Sequence, residues 1–136
     1  MSSASDDNFD WVTALAGCSA PEMFQKLQDG ALADVERRNA AAESRGDNWS
    51  FELHEGDDGF EVVRTAPSAK DSAVVTFELD GPRINIAGDG VDVRITAVVG
   101  INPAGERRYF VGELEYLGWE VRKQALDQLF FDAGDE

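Results

Sequence analysis

The sequence predicts an α+β fold: an antiparallel meander of six or seven strands, packed on one face by an N-terminal helical region and a C-terminal helix. Three runs within residues 72–99 alternate apolar and polar side chains, which is typical of strands with one buried face. Gly- and Asp-containing sequences separate these runs and suit tight hairpins. Near residues 20–44 and 119–131, apolar residues recur at helical spacing instead, so we expect helices to cover the apolar face of the sheet.

The N-terminal region begins with polar and acidic residues, and we expect residues 1–7 to form a disordered tail. A short helix that ends at Gly17 should follow. The longer helix after it has a clear start signal, because the Ser19 hydroxyl can accept a hydrogen bond from the Glu22 amide. Gly30 costs a helix interior about 1 kcal/mol relative to Ala, so a break or kink near that position is an open alternative.

Further strands are expected on both sides of the central runs. Residues 49–53 and 60–64 alternate in polarity and predict a hairpin, residues 65–71 predict a loop, and residues 107–117 predict one more strand. The alternation in the centre places five apolar residues on one buried face, namely Phe77, Ile84, Ile86, Val93 and Ile95.

The C-terminal helix carries more apolar surface than one helix face can turn toward a sheet. Phe130 and Phe131 are adjacent, so their side chains point about 100° apart on a helix. One of the two rings should therefore lie near the rim of the covered face. We take Trp119, Phe130 and Phe131 as the candidate contacts to a partner or ligand, and we expect a homodimer that Phe131→Asp weakens.

The length and charge of the chain narrow the function classes. A chain of 136 residues fits a single domain over residues 1–136. With 27 acidic and 12 basic side chains, its formal net charge is −15, and direct nucleic-acid binding is disfavoured because phosphate contacts require clustered cations. The acidity suits either solubility or adaptation to a salty cytoplasm, or else an acidic surface that meets a basic partner.

The sequence contains few side chains that could act together in catalysis. His54 is the only histidine and Cys18 the only cysteine, so a multi-histidine metal cluster and an internal disulfide are both excluded. Glu113 and Glu115 would share one face of a strand, but such pairs are mostly solvated. We therefore predict no catalytic residue, no cofactor and no metal, and we interpret the chain as a cytoplasmic non-enzyme without a membrane-spanning segment.

Two function hypotheses follow. The first is a binding or interaction protein, with a chaperone-like role as one form of it, whose acidic surface engages another protein or a second copy of itself. The alternative is a carrier of a small apolar ligand held between sheet and helices, which the many aromatic residues would line. A third interpretation, a nucleic-acid mimic that occupies a basic groove, is supported by the net charge alone.

Two families share features with this chain. Its size, its acidity and its helices at both ends resemble type III secretion chaperones, which implies a small acidic dimer that holds a partly unfolded effector segment. Residues 23–27, 49–53, 102–103 and 110–114 resemble segments of sterol-carrier-protein-2-like domains, which implies lipid binding. The two resemblances correspond to the two function hypotheses.

Overall fold

Within the part of the chain that the computed structural model describes, seven antiparallel strands form one open sheet in chain order. They are β1 (Ser50–Glu55), β2 (Gly59–Thr65), β3 (Ala73–Asp80), β4 (Arg83–Asp89), β5 (Arg94–Ile101), β6 (Arg107–Val111) and β7 (Leu114–Tyr116). The long helix α1 (Ala20–Arg45) precedes the sheet and α2 (Gly118–Phe131) follows it. The predicted α+β meander with a C-terminal helix is therefore confirmed.

The structure describes residues 10, 12, 19–46 and 48–131, without the side chains of residues 43–45. Two predictions lie outside these residues: the tail over residues 1–7, and the short helix that ends at Gly17, of which only residue 12 is described as helical. Across the described ranges, neither helix is long and apolar enough to cross a membrane.

One apolar face of the sheet packs against both helices. A row of paired residues crosses four strands on this face, with Phe60 opposite Phe77, Phe77 opposite Ile86, and Ile86 opposite Ile95. The rings of Phe60 and Phe77 stack with their centroids 4.4 Å apart. Helix α1 lies against β1, β2 and β3, while α2 lies against β3, β6 and α1. Of the five residues predicted for this face, Phe77, Ile84 and Ile86 are buried, and Val93 and Ile95 are partly buried against the core.

Helix α1 begins as its sequence predicts and then differs from one expectation. The Glu22 amide donates to the Ser19 hydroxyl at 3.2 Å, which completes the predicted cap. The helix then runs without a break through Gly30, so a break there is wrong. A Cβ at Gly30 would overlap the guanidinium group of Arg122 on α2, so a larger residue would require the end of this flexible side chain to move.

The prediction of one strand over residues 107–117 is wrong in one respect, because these residues form two strands. Gly112 has a φ of 62°, a left-handed conformation that reverses the chain between β6 and β7. Glu113 consequently lies in the turn and Glu115 on β7, so the two carboxylates do not share a strand face. Glu115 instead lies 3.1 Å from the Nε of Arg108. The β5 strand also starts later than predicted, at Arg94.

The edge of the sheet at β1 is covered by a side chain of α1. Asn39 donates from Nδ2 to the carbonyl oxygen of Phe51 and accepts from the Phe51 amide at Oδ1, both at 2.9 Å. This pair of hydrogen bonds replaces the contacts that a further strand would make. Helix α1 is thereby fixed alongside β1, and its C-terminal half is held next to α2.

Candidate functional site

A groove lies between the C-terminal half of α1 and the outward face of α2, with a volume of about 370 Å³. Its lining comes from both helices: Asp34, Arg37, Arg38 and Ala41 of α1, and Trp119, Arg122, Lys123, Leu126, Asp127, Phe130 and Phe131 of α2. We call this feature the α1–α2 groove. The structure brings all three residues singled out from the sequence, Trp119, Phe130 and Phe131, to this lining.

The aromatic residues differ in burial along the groove. Trp119 is 55% exposed and Phe131 50% exposed, whereas Phe130 is buried in the core. Phe130 packs edge-on against Phe51 of β1 at 5.0 Å, and Phe131 stands perpendicular to Phe130 at 6.1 Å. The rise of an α-helix separates Trp119 from Phe131 by about 18 Å along α2. The groove is therefore long enough for about three turns of a helical segment, with an exposed aromatic ring at each end.

Charged side chains form the rim of the groove. Arg122 lies 2.7 Å from Asp34 of α1, which also receives Arg37 at 3.3 Å. On the other side of α2, Lys123 lies 3.4 Å from Asp127. The Asp34 carboxylate therefore pairs with two guanidinium groups. With three basic and two acidic side chains, the rim has the opposite charge balance to the whole chain, whose net charge is −15.

Two buried arginines hold the C-terminal end of α2 beside the groove. Arg38 of α1 donates from Nε to the carbonyl oxygen of Phe130 at 2.8 Å, and Arg64 of β2 donates from Nη1 to that of Leu129 at 2.8 Å. Carbonyl groups in the last turn of a helix lack intrahelical donors, and a positive charge at this end also complements the helix dipole. The arginines therefore fix the position from which Phe131 faces the groove.

The sequence analysis missed both arginines, although a signal for each was present. Arg64 continues the inward alternation of Phe60 and Val62, and Arg38 continues the three- and four-residue steps that lead through Ala31 and Val35. Apolar stems explain how charged residues occupy these positions. The Arg64 guanidinium lies over the Trp49 ring at 4.3 Å, and that of Arg38 lies 4.9 Å from the centre of the Phe51 ring.

His54 lies away from the groove, on the opposite, outer face of the sheet. Its Nε2 is 2.9 Å from Oε1 of Glu52, and its Nδ1 is 3.7 Å from Oε2 of Glu61. The hydrogen bond to Glu52 raises the pKa of His54 above 6.5, the slight desolvation opposes this, and the charges of both glutamates add to the increase. The described residues contain no group of three His, Cys, Asp or Glu side chains that could hold a metal ion.

The space between the sheet and α2 is small. A void of about 30 Å³ lies among Ile95, Val111, Tyr116, Val121 and Gln124, on the side of α2 that faces the sheet. A volume of this size corresponds to about one water molecule. Of these two concavities, the larger one lies between the helices rather than between α2 and the sheet.

Comparison of the chain with protein-family models, with curated proteins and with solved structures finds no match in any of the three. Neither of the two family resemblances receives support from these comparisons. Between residues 48 and 131, all of which are described, the connections of the meander contain no α-helix, only a short 3-10 turn at Ala69–Asp71. The function is therefore argued from the groove itself.

Proposed function

We propose that this chain is a non-enzymatic protein-interaction domain whose α1–α2 groove holds an apolar segment of a partner protein. The observation that carries the proposal is the half-exposed pair Trp119 and Phe131, which border one groove. Large aromatic rings on a protein surface are enriched at interface centres, where their burial contributes strongly to affinity. We place the protein in the cytoplasm, because one cysteine allows no internal disulfide.

The sheet edges offer less for a partner than the groove does. At β1, Asn39 already occupies the outward hydrogen-bonding groups of Phe51. At the other edge, β7 spans three residues, Leu114–Tyr116, which gives a partner strand little to pair with. The proposal therefore favours a segment laid between two helices over strand addition. Transient holding of an exposed apolar segment is also what a chaperone-like role requires.

A carrier of a small apolar ligand is the alternative function, and the shape of the molecule favours a particular site for it. The void between sheet and α2 is about 30 Å³, whereas the groove, at about 370 Å³, lies at the small end of the range for ligand sites. A carried ligand would therefore occupy the groove. Mass spectrometry of an organic extract of the purified protein separates the two functions, because a carrier releases a bound lipid and an interaction domain does not.

Peptide display tests the proposed function. Random peptides on phage are selected against the parent chain, and their affinities are then measured for Phe131→Asp and for Leu114→Asp. Leu114 is a matched control, because it is 61% exposed but lies on β7, away from the groove. We expect enriched peptides with apolar anchors that bind Phe131→Asp about tenfold more weakly, a loss of about 1.4 kcal/mol, and bind Leu114→Asp like the parent.

Two outcomes contradict the proposal. One is that no peptide family is enriched on the folded parent chain. The other is that the enriched peptides bind Phe131→Asp as tightly as the parent. Circular dichroism and the urea midpoint of each variant establish that both variants are folded before affinities are compared.

A further inference from the structure

We infer that the segment bound in the α1–α2 groove is acidic, with carboxylates on both sides of its apolar anchor. The inference rests on the proposed function and names the chemistry of the partner. Among its described lining residues, the groove holds three basic side chains that are not buried, Arg37, Arg122 and Lys123, and two acidic ones, Asp34 and Asp127. The whole chain has 12 basic and 27 acidic residues, so the groove reverses the charge balance of the molecule.

The basic groups lie on both walls of the groove. Arg37 of α1 has a side chain that is 74% exposed, and Lys123 of α2 has one that is 66% exposed. Arg37 lies 3.3 Å from Asp34, which Arg122 approaches more closely, at 2.7 Å. Lys123 lies 3.4 Å from Asp127. A segment that lies between the walls with carboxylates on two sides would meet a cation on each.

The same charges disfavour a second copy of this chain as the occupant. A symmetric dimer presents the same patch from both subunits, so two grooves in contact would bring their basic residues together. An acidic segment of another protein avoids this repulsion and adds opposite charges. Because the molecule as a whole is acidic, the attraction is local, and at physiological ionic strength charges more than about 8 Å away are largely screened.

Three synthetic peptides test the inference. Each has about 15 residues, which as a helix would span the distance between the two aromatic ends of the groove. All three carry Phe, Leu and Leu at helical positions i, i+4 and i+7, and their other positions are acidic, neutral or basic. Fluorescence anisotropy then gives the affinity of each peptide for the parent chain, for Arg37→Glu/Lys123→Glu and for Arg83→Glu/Arg94→Glu. The last variant makes the same charge change on the outer face of the sheet, where Arg83 and Arg94 are exposed.

We expect the acidic peptide to bind the parent about tenfold more tightly than the neutral one, since two exposed ion pairs contribute up to about 1 kcal/mol each. The basic peptide should bind most weakly. Arg37→Glu/Lys123→Glu should reverse the order of the acidic and basic peptides, and Arg83→Glu/Arg94→Glu should preserve it.

The possible failures are distinguishable. If the neutral peptide binds as well as the acidic one while Phe131→Asp abolishes the binding of both, the inference is wrong and the proposed function stands. An acidic preference that survives Arg37→Glu/Lys123→Glu also overturns the inference, because the charge then acts elsewhere. If Phe131→Asp alters the binding of none of the peptides, the groove is not the binding site and the proposed function fails. A light-scattering mass of two chains that Phe131→Asp returns to one makes a second copy the occupant and overturns the inference.

Discussion

Arg64 shows how backbone carbonyl groups can hold a buried charged side chain. Its Nε donates to the carbonyl oxygen of Asp71 at 2.7 Å and its Nη1 to that of Leu129 at 2.8 Å. The planar guanidinium group reaches both carbonyls and covers the Trp49 ring at the same time. One residue of β2 therefore connects the sheet, the loop before β3 and the last turn of α2.

Replacement of Arg64 tests this role. Arg64→Met should lower the free energy of unfolding by about 2 to 4 kcal/mol, because hydrogen bonds to charged groups contribute about 1.5 to 3 kcal/mol each and the bond to the Leu129 carbonyl is buried. Arg64→Lys should recover little of the loss, since a lysine lacks the planar fork. The measurement is the urea midpoint, with the exposed Arg83→Met as the control. Equal midpoints for Arg64→Met and Arg83→Met would contradict the assignment.

His54 gives the molecule a pH-dependent surface contact. Its folded-state pKa is raised, chiefly by the hydrogen bond to Glu52, so the protonated form is favoured in the folded chain. The contribution to stability is therefore fully present below the unfolded pKa of about 6.5 and is lost as the pH rises through the folded pKa.

A proton NMR titration of the His54 ring checks this prediction. The midpoint should lie above 6.5 in the parent chain and should move down toward that value in Glu52→Gln, because the charged hydrogen-bond acceptor is removed. Identical midpoints in the two proteins would show that Glu52 is not the cause.

At the scale of elements, α1 protects the exposed edge of β1. Asn39→Ala removes both hydrogen bonds to the Phe51 backbone and should cost about 1 to 2 kcal/mol of unfolding free energy. Amide hydrogen exchange gives the most specific measurement, because the Phe51 amide should lose protection while the amide of Ile86 in the central strands keeps it. Unchanged protection at Phe51 would mean that Asn39 does not cover the edge.

Local patterns in the sequence predicted most of the elements. The bounds of α1 and α2 agree with the helical spacing near residues 20–44 and 119–131, because a helix of this length repeats its pattern several times. Short elements carried less information. The alternation continues across Gly112, so only the positive φ of that residue divides β6 from β7. The contact between Gly30 and Arg122 also has no local signal, because the two residues lie far apart in the chain.

In the whole molecule, some residues of the groove could be predicted from the sequence and others could not. The exposed positions of Trp119 and Phe131 follow from the periodicity of one helix, which the sequence contains. The contribution of α1 to the groove does not follow from such a periodicity. Arg37 and Ala41 reach the groove only because two helices that are distant in the sequence pack together. Tertiary contacts of this kind have no local signal in a single sequence.

NMR chemical-shift mapping shows whether a partner segment binds between the two helices. The isotope-labelled chain is titrated with the tightest display-selected peptide, and amide and indole resonances are followed. The account predicts that the largest shifts occur at the Trp119 indole and at the amides of Ala41, Lys123 and Phe131, all of which line the groove. Shifts concentrated instead around His54 and Thr76 on the outer face of the sheet, with the Trp119 indole unchanged, would contradict it.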